Sequence, residues 1–560
     1  MFDRFTPKTF IVLKEGYSRE KFISDLVAGI IVAIVALPLS IALGIASGVK
    51  PEQGLYTAII GGFAISFFGG TRVQIGGPTG AFVIIIYSII QNYGYSGLAI
   101  ASIMAGIFLI IFGLLRMGNV IKYIPYPVTI GFTAGIALLI FSSQLKDFFG
   151  LNIDNLPAEF LDKMKVLVEN LNSFNIIAFL IAISTIIISI LWSKKFKKVP
   201  GTLIAIIITT FIVQFFNLPV ETIGSRFGSV PNNFPAFSIP KIDLSMVGEL
   251  LKPAFTIAFL AGIESLLSAV VADSMIGTKH NSNMELIGQG IANIFSPLFG
   301  GIPATGAIAR TATNIKSGGR TPFAGMIHAI VLLIFMMFLG KLAILIPMAT
   351  LAGILAIVSY NMSEIKHFME FKTAPKSDIF VLLITFLLTV FTDLTIAIEF
   401  GIIASALLFM KRMSDVTESR FITDSFQEKK SEYVTNEFQK IPKDVEIFEI
   451  SGPLFFGAST FFQESLSIME NRPRVLILLL ENVPVFDATG LKALEETIKK
   501  SKKYGTETIL VGLNKQPLVV LKKSKLYEIL GEKKICRNIH EALEISRKIV
   551  VSSVNIEGGN

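Results

Sequence analysis

A single cysteine, Cys536, in 560 residues excludes an internal disulfide framework and any cysteine-clustered metal site. Histidine is almost as scarce. His280, His328, His367 and His540 stand singly, so they give no support to a metal centre. Charged residues make up only 16 % of the chain, well under the roughly 25 % of soluble domains, and the C-terminal fifth holds a disproportionate share of them. No catalytic triad, phosphate-binding loop or metal cluster occurs at usable spacing, so the chain is expected not to be an enzyme and to need no cofactor. The net charge of +8 includes no basic stretch interleaved with aromatics on a soluble face, which argues against a nucleic-acid partner. Trp192, the one tryptophan, falls at the end of an apolar run and is explained as an interfacial anchor.

What the chain does have is long apolar runs. Residues 30–46, 174–192 and 379–391 approach or reach the ~20 residues with which a helix crosses a bilayer. Their apolar residues are contiguous rather than alternating, so they read as helices and not as barrel strands. The first run is too long for a signal segment and is read as a retained span. Cutting at Gly/Pro and charged breaks gives fourteen segments: 25–47, 54–69, 78–92, 97–115, 126–146, 173–193, 200–216, 250–273, 284–299, 304–315, 322–340, 344–362, 376–392 and 395–411. The expected fold is therefore an α-helical polytopic membrane protein over residues 1–412, with repeat 1 at about 20–216 and repeat 2 at about 247–412. Seven segments per half is an odd number, which makes the second copy an inverted repeat. Lys and Arg fall about fifteen to eight in favour of the side holding the N-terminus, with the cluster around Lys194, Lys195, Lys197 and Lys198 weighing most. Both termini are then cytoplasmic, in the inner (plasma) membrane. The long loops near 147–172 and 217–248 fall outside and carry no nameable chemistry.

One phrase occurs twice, as Gly77-Pro78-Thr79-Gly80-Ala81 and as Pro303-Ala304-Thr305-Gly306-Ala307, in corresponding places of the two halves. A Gly/Pro break within an apolar run starts a half-helix whose first N–H groups lack intrahelical partners, and paired breaks mark transporter binding sites. The free N–H groups of Thr79, Gly80 and Ala81, facing those of Thr305, Gly306 and Ala307, are expected to clamp an anion. The hydroxyls of Thr79 and Thr305 either donate to it or act as N-caps. The alternative is two kinked helices whose small residues serve close packing. Glu264 sits in a helix of Ala, Gly, Ile, Leu and Ser, where an unpaired charge costs at least a few kcal/mol. It either takes up a proton that couples to transport or pairs permanently with Arg310, which also lies in a membrane segment.

After Arg412 the composition changes. Residues 413–440 read as a polar linker or juxtamembrane helix, 441–552 as a cytoplasmic α/β domain, and 553–560 as a tail. Strands are expected at 445–450, 475–480 and 508–511, with helices at 458–471, 488–504, 517–524 and 539–549, hence a small, mainly parallel sheet.

With these residues in view, the chain resembles the sulfate permease family of anion transporters over nearly all its length. The resemblance is carried by Ala36-Leu37-Pro38-Leu39-Ser40, by Val73 to Phe82, by Glu264-Ser265-Leu266-Leu267-Ser268 and by Gly300 to Thr311. The tail, with Gly452-Pro453-Leu454-Phe455-Phe456-Gly457 and Asp487-Ala488-Thr489-Gly490, looks like the STAS domain that the family carries. The resemblance implies a seven-plus-seven inverted repeat split into core and gate domains, and a homodimer. It places substrate at Gly77, Thr79, Gly80, Ala81, Phe82, Ala304, Thr305, Gly306, Ala307 and Ile308, with Glu264, Arg310 and Ser268 as coupling residues. Sodium-coupled bicarbonate members carry Asp, Thr and Thr where Glu264, Ser268 and Ile308 stand, a departure that favours a proton-linked or uncoupled mechanism over sodium coupling, with a proton as the expected coupling ion. Thr489 matches a phosphorylatable hydroxyl of related anti-sigma-factor antagonists, or is an N-cap. The expected partners are a small anion (sulfate, bicarbonate or a dicarboxylate), lipid, a second copy, and a cytoplasmic regulator at the STAS domain. A nucleobase-type symporter, a sodium-coupled bicarbonate symporter and a membrane-tethered signalling protein are the competing readings.

Overall fold

The computed structural model describes residues 5–119, 125–153, 156–196, 200–228, 234–240, 244–392, 394–415, 417–421, 441–442, 444–456 and 473–557. Two compact units divide the chain, residues 1–405 and 406–560.

The first unit is helical. Its helices run α1 (Lys8–Glu15), α2 (Arg19–Ala46), α3 (Pro51–Tyr56), α4 (Gly62–Phe68), α5 (Val83–Leu114), α6 (Tyr126–Phe148), α7 (Phe160–Glu169), α8 (Ile176–Lys195) and α9 (Gly201–Phe215). They continue as α10 (Ile223–Phe227), α11 (Val247–Ile276), α12 (Ser282–Leu298), α13 (Ile308–Lys316), α14 (Pro322–Ala343), α15 (Met348–Met362), α16 (Ile365–Glu370), α17 (Lys376–Phe391) and α18 (Leu394–Asp415), the last reaching into the second unit. Among the described residues six helices are long and apolar enough to cross a membrane.

Each expected apolar segment falls on helix, with two differences, in segments 54–69 and 304–315. The expected division between 78–92 and 97–115 falls within α5 at Gly94, whose φ 65°, ψ −172° is non-helical, so two helices meet there at a kink that glycine tolerates readily. Segment 54–69 joins α3 to α4 through a π turn, Thr57–Gly61. Segment 304–315 is helical only from Ile308, because Thr305 and Gly306 form a strand.

The main apolar core gathers Ala36, Phe82, Ile140, Leu260, Leu332 and Leu351 from six of these segments. Within it α5 and α12 approach backbone to backbone. A Cβ on Gly106 would meet the Gly290 carbonyl oxygen at 2.6 Å, and one on Gly290 would meet that of Gly106 at 2.5 Å, so only glycine fits at this crossing.

The second unit holds a five-stranded sheet in the order β3 (Glu418–Phe421), β4 (Val445–Ser451), β5 (Val475–Asn482), β6 (Glu507–Val511) and β7 (Ile535–Cys536). β3 is antiparallel to β4 and the other pairs are parallel. The fully buried run of β5 and the amphipathic helix Ala488–Lys503 match their expected places. Three short elements have too few residues to show a period: β3, β7 and the helix Lys525–Leu530. β3 also corrects the linker expected at 413–440, whose first part is the end of α18 and then strand. The expected helix at 458–471, the remainder of the linker at 422–440, the end of the tail at 558–560, and Lys122, Lys197 and Lys198 lie outside the described residues. Cys536 is buried, and burial pushes its thiol up to about 11, so it is inert at neutral pH.

Thr489 is exposed in the first turn of its helix and is not the N-cap. Asp487 holds that position, accepting from Gly490 N at 2.7 Å and from Phe456 N at 3.1 Å. Replacing Asp487 with Ala should therefore lower the stability of the soluble domain by about 1 kcal/mol in urea unfolding, while Thr489→Ala should change it by under about 0.5 kcal/mol. The reverse ranking would return the capping role to Thr489.

Candidate functional site

The two copies of the Thr-Gly-Ala phrase meet. β1 (Gly76–Gly77) pairs antiparallel with β2 (Thr305–Gly306), Gly77 opposite Thr305 and Gly76 opposite Gly306. From this two-stranded ladder the chain turns into a helix on each side, at Gly80–Phe82 leading into α5 and at Ile308 beginning α13. Glycine is required at the crossing. A Cβ on Gly306 would lie 1.7 Å from Gln74 Nε2, and one on Gly77, whose φ is +148°, would lie 2.5 Å from Arg310 Nη1.

Thr79 does not cap α5. Its Oγ1 donates to Glu264 Oε2 at 2.8 Å, which places the α11 carboxylate beside the start of the half-helix. Arg310 is buried, and its Nη2 donates to the carbonyl oxygen of Pro78, while Nε and Nη1 have no hydrogen-bond partner. No ion pair joins Arg310 to Glu264 among the described residues, so the permanent pair weighed from sequence is not formed; each is held by one of two consecutive residues, Pro78 and Thr79. Ser268 Oγ donates to Thr311 Oγ1 at 3.2 Å, and Thr311 in turn accepts from Ile75 N at 3.0 Å, so Ser268 ties α11 to α13.

Several expected donors are already used. Ala307 N donates to the Ile75 carbonyl at 2.9 Å and the Thr305 hydroxyl donates to the Ala261 carbonyl at 2.9 Å. The unpaired N–H groups of the second half-helix are therefore those of the first turn, Ile308 to Arg310, three residues beyond the set expected. Phe82 is enclosed in the main core and Ala304 packs with Ile65 and Ala292, so both are packing residues in this arrangement. Gly77, Gly80, Ala81, Thr305 and Gly306 are buried, whereas Thr79, Glu264, Ala307 and Ile308 reach accessible surface. Met362 of α15 and Ile140 of α6 lie over Gly80: a Cβ there would meet the Met362 sulfur at 2.6 Å and Ile140 Cδ1 at 3.2 Å.

What holds the non-helical segments is a polar stripe on α12 that the sequence reading missed. Asn293 donates to the Ala304 carbonyl at 2.7 Å and accepts from Ala304 N at 3.0 Å. Ser296 donates to the Ile302 carbonyl at 2.7 Å, and Thr57 Oγ1 accepts from Ile302 N at 2.7 Å. One turn to three turns back, the fully buried Glu285 accepts four hydrogen bonds, from Gly70 N, Thr71 Oγ1, Ser265 Oγ and Gln289 Nε2, at 2.8 to 3.1 Å. Ser265 also accepts from Gln74 Nε2 at 3.0 Å, linking the stripe to the residue that faces Gly306. The signal was present: Glu285, Gln289, Asn293 and Ser296 recur at helical spacing in an otherwise apolar segment. Asp25 was missed in the same way. It is buried in α2 and caps the start of α14, accepting from Arg320 N at 2.8 Å, Thr321 N at 3.2 Å and the Thr321 and Tyr17 hydroxyls.

Comparison with known proteins fits this architecture. Residues 22–385 match the model of the sulfate permease family and residues 439–542 that of the STAS domain. The chain is 43 % identical to YvdB of Bacillus subtilis, which is provisionally named a sulfate transporter, over 92 % of this chain and 96 % of that one. It is 32 % identical to the bicarbonate transporter BicA of Picosynechococcus, covering 93 % and 94 % of the two chains. In fold it is similar to the murine anion transporter Slc26a9 in its inward-facing state, with a TM-score of 0.85, 19 % identity, and 96 % and 93 % coverage. The protein is of the multi-pass membrane transporter class and is not an enzyme. It belongs to the sulfate permease family of anion transporters and carries a C-terminal STAS domain.

Glu285 offers a direct check on the polar stripe. Glu285→Gln exchanges one acceptor oxygen for a donor facing donors already in place, so the detergent-solubilised protein should lose about 2 kcal/mol of stability or more. An unchanged thermal midpoint would show that the four hydrogen bonds do not hold the ladder.

Proposed function

We propose that the protein is a secondary active transporter of a small anion, working by alternating access of a core domain against a gate domain, with the anion held between the half-helix starts at residues 79–82 and 307–310. The observation that carries this reading is the pairing of β1 with β2, which brings two helix N-termini and the buried Arg310 guanidinium together. The antiparallel ladder is what two halves of opposite orientation would form, which supports the inverted repeat of fourteen spans. Relatives named as sulfate and bicarbonate transporters support those two anions as substrates, and small dicarboxylates suit the same site, since backbone dipoles read charge and size. Inner-membrane location with cytoplasmic termini follows from the distribution of Lys and Arg. A homodimer is part of the reading, as is a cytoplasmic regulator at the STAS domain.

Glu264 is the coupling residue in this reading, carrying a proton. Its hydrogen bond from Thr79 gives the carboxylate a direct connection to the half-helix that presents N–H groups to the anion. A sodium-coupled bicarbonate symporter is the second reading, favoured by the similarity to BicA. Ile308 offers no side-chain oxygen to a hard cation and the Ser268 hydroxyl is engaged with Thr311, both of which weigh against it.

In proteoliposomes, uptake of labelled sulfate, bicarbonate or succinate should be driven by an inward proton gradient and should persist without sodium. Glu264→Gln, a mimic of the protonated acid, should keep exchange and lose accumulation. Transport that requires sodium and ignores the proton gradient would overturn the assignment. Gly306→Val should abolish uptake with the protein still inserted, because its Cβ displaces Gln74; unchanged substrate affinity would place the site elsewhere.

A further inference from the structure

Leu156, Ala158, Lys163 and Arg226, described residues of the two loops without legible chemistry, help to line a cavity of about 140 Å³. The ends of α2 and α6, the second turn of α5, α7 and Arg226 of α10 bound it, and its polar lining is Tyr87, Gln144, Lys146, Asp147, Lys163 and Arg226. Arg226 is neutralised by a two-point contact with Asp147, at 2.6 and 3.2 Å, and by Glu221. Lys163 differs. It is 2 % exposed, and its ammonium has no hydrogen-bond or ion-pair partner among the described residues. Burial pushes that ammonium down to about 8, with no carboxylate offsetting it. A cation this deeply buried, with no partner among the described residues, is held at a cost, so one that borders a cavity calls for a counter-ion that enters and leaves.

We propose that this cavity is a second anion site, separate from the half-helix site, which takes a small oxyanion or carboxylate against the Lys163 ammonium. Its lining carries three cations and one carboxylate, and that carboxylate is already committed to Arg226, so the cavity selects an anion. Its size admits sulfate, bicarbonate or acetate. Tyr87 stands seven residues along α5 from Gly80, about 10 Å of helix rise, so the cavity lies beside the half-helix site and on the side of the outer loops. The Tyr87 hydroxyl donates to the Leu156 carbonyl, which fastens the loop over the helix and encloses the cavity. In this position the site captures the anion before it reaches the ladder. That capture role rests on the transport reading; binding at Lys163 does not.

Full-length protein in lipid nanodiscs would be treated with formaldehyde and borohydride, and methylation of each lysine followed by peptide mass spectrometry. Sodium sulfate, bicarbonate and acetate are the probes, with gluconate, bulkier than any of the three, as the ionic-strength control. Sulfate, bicarbonate or acetate should slow methylation of Lys163 several-fold over gluconate while leaving Lys165 unchanged; no protection by any of the three overturns the site. In proteoliposomes Lys163→Met should raise the external KM about five-fold or more with little change in maximal rate, and Lys163→Arg should restore it. Protection with an unchanged KM in Lys163→Met would overturn capture. If no anion is transported at all, the methylation result still decides the binding site, so the two readings fail separately.

Discussion

Everything at the centre of the membrane unit depends on satisfying non-helical backbone where no water is at hand. Segments 74–79 and 302–307 leave the helical ladder, and each exposed N–H or carbonyl in such a position costs several kcal/mol if unpaired. The chain meets this in three ways. The two segments pair with each other as a short sheet, α12 lends Asn293 and Ser296 to the second segment, and Thr311 and Asn314 of α13 bond the first through Ile75 N and the Val73 carbonyl. The close approach of α5 and α12 at Gly106 and Gly290 brings the rack near enough to serve, with Ser102 of α5 donating to the Asn293 carbonyl at 2.9 Å.

The repeated phrase made legible the place where the two halves meet, because a paired Gly/Pro break in two apolar runs marks non-helical backbone in both. Helix existence was legible for the same reason that membrane helices generally are, since contiguous apolar residues leave the backbone no other way to bond. Pairing across 230 residues was not. Two-residue strands have no period to read, and nothing local in Thr305 or Ala307 says that a hydroxyl or an N–H will be spent on Ala261 or Ile75. Hence the donor set lies three residues beyond the expected one on the second half-helix. Thr489 illustrates the same limit in the soluble domain, where Asp487 stood two positions away as an equally good cap.

Glu285 and Glu264 show how two carboxylates in similar sequence surroundings acquire different roles. Glu285 accepts four hydrogen bonds from donors fixed in place, which makes it a fastening. Glu264 has one, from Thr79, and reaches accessible surface. In the proposed mechanism the number of fixed donors, more than burial, separates the structural Glu285 from Glu264, which changes state.

The placement of Arg310 completes that distinction. Because Arg310 bonds to Pro78 and Glu264 to Thr79, the two charges ride on one short segment without neutralising each other by contact. In the proposed mechanism the ionised carboxylate leaves the site close to neutral overall, and an anion entering between the half-helices meets attraction from the dipoles and Arg310 set against repulsion from Glu264. A proton on Glu264 removes the repulsion and leaves the guanidinium and the N–H groups, so anion and proton favour each other's binding. By the reciprocity of linked equilibria, whatever factor the proton adds to anion affinity the anion adds to proton affinity. Had the acid and the arginine formed a direct ion pair, protonation would have had to break it first, and that mutual gain would have been largely lost.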